Sequence, residues 1–194
     1  MDSTGYDELK KSIMDYLRRN LKESRLQHTL NVAETAKRMA VRLGADEQKA
    51  ELAALLHDMA RNMPLPLMNE YVGKLGLHRR YLDNPNLSHS KIAAALAESE
   101  LGVWDRAVID AIAYHTTGRA GMTLLERIIF LADAIEPGRE YPGVEELRKT
   151  AEIDPDRACL ASLAGTIDFI GTRGIAPDPD TLAAKEYFTR MEEE

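Results

Sequence analysis

Only one cysteine, Cys159, occurs in the 194 residues, so an intramolecular disulfide is excluded. Its neighbours Ala158, Leu160 and Leu163 are apolar, which predicts a buried, unreactive thiol. No Lys/Arg block occurs, and the formal charge is −7. The clustered cations of a nucleic-acid footprint are therefore missing, and no nucleic-acid partner is expected. A small anionic substrate stays open, because bound cations can dominate a local field. No run approaches the roughly 18 consecutive apolar residues of a membrane span. Met1 to Lys10 has no apolar stretch of signal-peptide type. A cytoplasmic protein without a membrane partner is the expectation. Period-two alternation of the kind that marks a strand is also absent.

What the chain does have is helical spacing nearly throughout, with 44 % hydrophobic residues to supply a core. Leu9, Ile13, Tyr16 and Leu17 share one side of a helix from about Tyr6 to Arg19. Between Lys22 and Leu43, Leu26, Leu30, Ala33 and Ala40 form one stripe. His28, Val32, Thr35 and Met39 form another, which predicts a central helix, and Gly44 is a natural stop. Asp46 caps a third helix ending near Arg61, with His57-Asp58 in its last turn. A short helix is expected over Leu67 to Val72, one from a Ser88 cap to about Ser99, and one from Trp104 to His115. Thr123-Leu124-Leu125-Glu126 reads as a capping box. Val144 to Ala151 forms a short helix, and Asp154-Pro155 opens the next, which reaches Ile170. A final helix spans Thr181 to Met191. The expectation is an all-α bundle of about nine to ten helices: an N-terminal helix (1–20) packed on a main domain (21–191), with an acidic tail (192–194).

Polar groups interrupt this apolar pattern at six places: His28, His57, Asp58, His89, His115 and Asp133. Four of the chain's five histidines are among them. A buried carboxylate is costly unless paired with a charge or bound to a cation, and groups of this kind can converge between helices on a metal. Imidazole and carboxylate together suit Fe, Mn, Co, Ni or Zn. Each residue also has a plainer explanation. His28 and His115 could be hydrogen-bonded core histidines, and His89 a capping residue. Asp133 could pair with Arg127 or Arg139, and Asp58 could sit in a frayed turn. His89 at a helix start is biased toward the neutral imidazole, whereas His115 at a helix end is biased toward carrying a proton. His78, beside Arg79-Arg80, is expected to be exposed.

The order His…His-Asp…His…His…Asp over residues 28 to 133 resembles the HD-domain superfamily of metal-dependent phosphohydrolases. Ala54 to Arg61, Ser88-His89-Ser90, Ala113 to Gly118, Leu131 to Arg139 and Arg173 to Pro177 resemble the YqeK family in particular. That family hydrolyses diadenosine tetraphosphate symmetrically to two ADP. The resemblance covers about residues 6 to 190 and implies one or two metal ions, iron first, held by His28, His57, Asp58 and Asp133. It implies that His89 and His115 face a second metal or the phosphates, with Asp58, Arg61 and His115 in catalysis. Substrate contacts would come from His28, Asp58, Arg61, His89, His115, Thr116, Asp133, Arg139 and the Arg173-Gly174-Ile175 loop. A homodimer is implied as well. Arg61 departs from the pattern, which commonly has lysine there; a planar fork replaces a point charge. The ligand order also suits di-iron HD oxygenases, other nucleotide phosphohydrolases (monophosphate or alarmone), and a non-catalytic module with a structural metal.

Overall fold

The computed structural model describes residues 3–193, with side chains from Gly5 on. Among these residues there are ten α-helices, a single 3₁₀ turn at Arg79–Tyr81 and no strand. The helices are α1 (Ser3–Asn20), α2 (Glu23–Leu43), α3 (Glu47–Leu56), α4 (Leu65–Lys74) and α5 (Pro85–Leu101). They continue with α6 (Arg106–Tyr114), α7 (Leu124–Ile135), α8 (Val144–Ile153), α9 (Pro155–Gly171) and α10 (Pro179–Glu193). None is long and apolar enough to cross a membrane.

Helix α7 is the hub. Nearly all of it is buried, and it packs on α2, α3, α6, α8 and α9. The expected capping box opens it, with the Thr123 hydroxyl accepting from Glu126 N–H and the Glu126 carboxylate accepting from Thr123 N–H. Helix α2 lies along α3 and α7 with both of its stripes covered. Its C-cap is Gly44, at φ 71°, a conformation that glycine adopts without the Cβ penalty. Asp46, Asp105 and Asp154 cap α3, α6 and α9 through their side chains. Cys159 is free and fully buried, and burial pushes its thiol pKa up, so native protein should resist thiol reagents.

Several boundaries differ from the sequence expectation, and two of them bear on the site. Helix α3 stops at Leu56 instead of running to Arg61, so His57-Asp58 stands just beyond its end. The cause is local. The His57 ring takes the carbonyl of Ala54 through Nδ1 at 2.6 Å, the carbonyl that a continuing helix would offer to the backbone of residue 58. Tight turns then follow, Met59 N–H to Leu56 and Arg61 N–H to Asp58. Helix α5 begins at Pro85, so Ser88 is a buried residue of its first turns and not a cap. Proline at the first position is preorganised for a helix start. At the other end of the chain, α10 takes in Glu192 and Glu193, where a tail was expected; Glu194 lies outside the described residues.

The N-terminal helix is tied to this framework by a buried polar junction. Glu51 accepts from the Tyr6 hydroxyl at 2.7 Å and from Lys10 at 2.7 Å, with Lys37 at 3.4 Å. Burial alone would raise the Glu51 pKa, but Lys10, Tyr6 and Lys37 more than offset this and lower it. A carboxylate whose pKa is depressed on folding stabilises the fold above its unfolded pKa of about 4.3. That stabilisation is lost as pH falls through the folded value. Glu51→Gln is therefore expected to lower the Tm at pH 7 and to flatten its decline on acidification, which thermal melts from pH 7 to pH 3 will measure.

Candidate metal centre

Helices α2, α5 and α7 and the ends of α3 and α6 bring His28, His57, Asp58, His89, His115 and Asp133 together. All but Asp133 are buried, and Asp133 is part-exposed. The orientation of the four rings follows from what each Nδ1 touches. His57 Nδ1 faces the Ala54 carbonyl at 2.6 Å, and His115 Nδ1 faces that of Ile112 at 2.8 Å. His89 Nδ1 faces the Pro85 carbonyl at 3.0 Å, and His28 Nδ1 faces the Glu136 carboxylate at 3.1 Å. A carbonyl or carboxylate oxygen only accepts, so each Nδ1 carries a proton, and in the neutral ring Nε2 then presents a lone pair.

Those four lone pairs are aimed at two carboxylates. His28 Nε2 lies 3.0 Å from Asp133 Oδ1 and 3.7 Å from Asp58 Oδ2. His57 Nε2 lies 3.5 Å from Asp58 Oδ2 and 3.9 Å from Asp133 Oδ1. On the other side of Asp58, Oδ1 is 3.2 Å from His89 Nε2 and 3.9 Å from His115 Nε2. The Nε2 atoms of His28 and His57 are buried with no aligned hydrogen-bond partner. The Nε2 atoms of His89 and His115 face each other at 3.1 Å, with the Thr116 hydroxyl 3.1 Å from the second. Lone pairs facing lone pairs and carboxylate oxygens are repulsive unless a cation stands among them. The donor set thus fits a metal that accepts nitrogen and oxygen ligands. Two triads have ligand atoms within 4.8 Å of one another: His28-His57-Asp133 and His57-Asp58-His115.

Protonation supports the same conclusion. Burial lowers the pKa of His57, and Asp58 and Asp133 only partly counter it. His115 is pushed down to about 3, by burial first and then by His57 and His89. This corrects the expectation that its helix-end position would favour a proton: the ring is buried too deeply for the backbone partial charges to prevail. Burial would raise the pKa of Asp58, but His57, His89 and His115 hold it well below the usual carboxylate range. Asp133 is likewise held low, against its burial, by His28, His57 and Arg139. At neutral pH the centre holds charged carboxylates, and burial keeps His57 and His115 neutral.

Around it stand residues that sequence reasoning passed over. Glu136 is almost fully buried, and besides His28 it accepts from Asn31 Nδ2 at 2.9 Å and Gly138 N–H at 2.6 Å. A carboxylate behind a ligating histidine fixes its tautomer and raises its basicity. Arg148 holds this corner from outside, donating to the carbonyls of Ile135, Glu136 and Arg139. Arg25 Nη1 bonds Asp58 Oδ2 at 2.8 Å. The apolar spacing of α2 gives no hint of Arg25, although it lies one turn before His28, where i and i+3 share a face. Glu136 had a signal in the same neighbourhood, since it follows Asp133 by three residues.

The remaining expected site residues have mixed placements. Arg139 caps Asp133, donating to Oδ1 at 2.5 Å and to its carbonyl at 2.8 Å; Arg127, the other candidate partner, pairs with Asp156. Arg61 makes no hydrogen bond to the carboxylates of Asp58 or Asp133 among the described residues. Its guanidinium donates to the Pro85 carbonyl at 3.3 Å and to Asn86 Oδ1 at 2.9 Å, gripping the carbonyl that also holds His89. Arg173, Gly174 and Ile175 form an exposed turn after α9, with Arg173 over the Phe169 ring at 4.1 Å. Among the described residues that turn makes no bond to the His/Asp cluster. His78 is exposed, as expected.

Gly138 leaves no room for a side chain. A Cβ there would lie 3.0 and 3.1 Å from the Glu136 carboxylate oxygens and 3.4 Å from Asn31 Nδ2. Gly138→Ala is expected to displace Glu136 and cost on the order of tenfold in metal affinity. Gly73→Ala is its control. Gly73 is an exposed position within α4 with nothing within 4 Å of its Cβ site. This change should instead stabilise by about 0.5–1 kcal/mol. Metal titrations and thermal melts of the two variants separate these outcomes.

Comparison with known proteins places these residues in a wider set. The model of the HD domain matches residues 25–138, from the residue that pairs with Asp58 to the glycine under Glu136. A Bacillus subtilis protein named bis(5'-nucleosyl)-tetraphosphatase, symmetrical, is 43 % identical over 167 residues, covering 86 % of this chain and 90 % of its own. A Staphylococcus aureus protein of the same name is 36 % identical over 176 residues, 89 % of this chain and 91 % of its own. The crystal structure of a predicted HD superfamily hydrolase from Clostridium acetobutylicum, described as involved in NAD metabolism, superposes with a TM-score of 0.90. It is 40 % identical and covers 94 % of this chain and 97 % of its own.

Proposed function

The chain belongs to the HD-domain family, and from that premise we propose that it hydrolyses dinucleoside tetraphosphates, diadenosine tetraphosphate above all, symmetrically to two nucleoside diphosphates. The observation that carries the reading is the convergence of four histidine Nε2 atoms on the carboxylates of Asp58 and Asp133. The relatives named for symmetrical tetraphosphatase activity, aligned over nearly their whole length, give it its substrate.

His28, His57, Asp58 and Asp133 would hold the first metal, and His89 and His115 with Asp58 would hold a second or face the phosphates. Iron is the proposed metal, with Mn, Co, Ni and Zn as the other ions this donor set accepts. Bound there, a metal lowers the pKa of a coordinated water toward neutrality and offsets charge on the phosphoryl oxygens. The protein's own groups do the rest. Asp58 lies between the two histidine pairs and accepts a hydrogen bond from the attacking water, orienting it. Arg139, at the part-exposed mouth, donates to phosphate oxygens. Arg61 fixes the start of α5, and with it His89, while its charge adds to the field that favours the transition state. Thr116 donates from beside His115 and His89. The Arg173-Gly174-Ile175 turn would meet base and ribose. A cytoplasmic homodimer without nucleic-acid or membrane partners completes the proposal.

The test is a substrate panel run with metal-loaded protein: diadenosine tetraphosphate, nucleoside monophosphates and guanosine alarmones. Fastest turnover of the dinucleotide is the expected result. Turnover confined to the monophosphates or alarmones would overturn the assignment.

A further inference from the structure

Two guanidiniums occupy the carboxylate oxygens that face the histidine lone pairs. Arg25 Nη1 is 2.8 Å from Asp58 Oδ2, and Arg139 Nη2 is 2.5 Å from Asp133 Oδ1. These are the same two oxygens that His28 and His57 approach through Nε2. Each arginine thus supplies positive charge at the place where the donor set calls for a cation. The balance of charge is close. Leaving the imidazoles aside, the carboxylates of Asp58, Asp133 and Glu136 are matched by the guanidiniums of Arg25, Arg61 and Arg139. A metal ion added to this balanced set leaves a surplus of positive charge, which a polyphosphate chain can neutralise.

The two arginines are not held alike. Arg139 is anchored twice, to the Asp133 carboxylate and to its backbone carbonyl, and Arg148 braces its own carbonyl. Arg61 is committed to Pro85 and Asn86. The Arg25 side chain has the Asp58 oxygen as its one hydrogen-bonded partner among the described residues. Its side chain keeps 27 % exposure, whereas that of Asp58 keeps 3 %. It therefore reaches from the solvent-facing rim to the centre of the site on a single contact. Like charges repel, so a cation seated beside Asp58 Oδ2 weakens that contact, and the freed fork matches the geometry of phosphate oxygens.

We propose that Arg25 is a substrate-contacting residue, whose guanidinium leaves Asp58 and turns to the polyphosphate chain once a cation is seated beside that carboxylate. This rests on the proposed hydrolase function. It makes metal loading and phosphate recognition coupled events, since the guanidinium that competes with the metal for Asp58 becomes a donor to substrate. A purely structural ion pair makes the opposite prediction: removing Arg25 would disorder Asp58 and weaken the metal.

The experiment measures two affinities in the full-length protein. One is that of the metal for metal-free protein. The other is that of a non-hydrolysable phosphonate-bridged diadenosine tetraphosphate for metal-loaded protein. R25M keeps the length of the side chain and removes the fork; R25K keeps a charge without it. The expected result for R25M is metal affinity equal to or above that of the unaltered protein, with analogue affinity about tenfold weaker. R25K should fall between the two on the analogue. Analogue affinity within twofold of the unaltered protein, or metal affinity weakened tenfold, overturns the inference. Should R25M fail to fold, R25K is judged by the same two limits. Failure of the unaltered, loaded protein to bind the analogue overturns the functional reading and this inference together. Binding there that R25M leaves unchanged overturns this inference alone.

Discussion

Asp58→Asn is expected to lower kcat by about a thousandfold or more, because several kcal/mol of transition-state stabilisation depend on a correctly held metal. Asp58 faces both histidine pairs of the centre, with Oδ2 toward His28 and His57 and Oδ1 toward His89 and His115. Asparagine keeps the shape but replaces one anionic oxygen with an NH₂ group that cannot ligate. It also removes a negative charge that no imidazole can supply. The fold should survive. The helices around Asp58 are packed by Leu55, Leu56, Ile92, Ile112, Ile128 and Leu131, all of which keep their contacts. Steady-state kinetics paired with far-UV circular dichroism checks this, with helical content unchanged while turnover disappears. A variant that stays fully active would remove Asp58 from the centre.

The second large effect is expected one shell further out. Glu136→Gln keeps the hydrogen bond from Asn31 within reach but takes the charge away from His28 Nδ1–H and from the Gly138 amide. Neutralising such a partner leaves the imidazole less basic and less firmly oriented. The usual cost is about 10–100-fold in metal affinity or activity. The loss should appear in the metal dissociation constant, and saturating metal should recover much of kcat. A kcat deficit that persists unchanged at saturating metal would mean that Glu136 acts on substrate and not through His28.

How much of this was legible in the sequence depends on the kind of information each residue carries. The all-helical fold was readable because apolar spacing, caps and stops agree locally, as at Gly44, Thr123 and Asp154-Pro155. The six site residues were readable as polar interruptions in apolar helices, and the structure brings all six together. What could not be read were the effects that depend on a third residue. The end of α3 is set by a side-chain bond from His57 to Ala54, which competes with helix propagation and leaves no mark on periodicity. The protonation of His115 is decided by burial among other histidines, not by its position along α6. The phosphate role of Arg61 is what the resemblance implies, and nothing in the spacing reveals that its fork bonds Pro85 and Asn86, twenty-four and twenty-five residues on. Arg25 and Glu136 escaped because a charged residue beside a ligand looks, in one dimension, like any solvated helix residue.

The central claim is that water attacks the middle of a tetraphosphate chain at the His/Asp centre. Hydrolysis of diadenosine tetraphosphate in heavy-oxygen water, with products separated and weighed by mass spectrometry, tests it most directly. ADP is expected as the sole product, one molecule of each pair carrying a single heavy oxygen on its terminal phosphate. AMP together with ATP, or ADP without label, would contradict it.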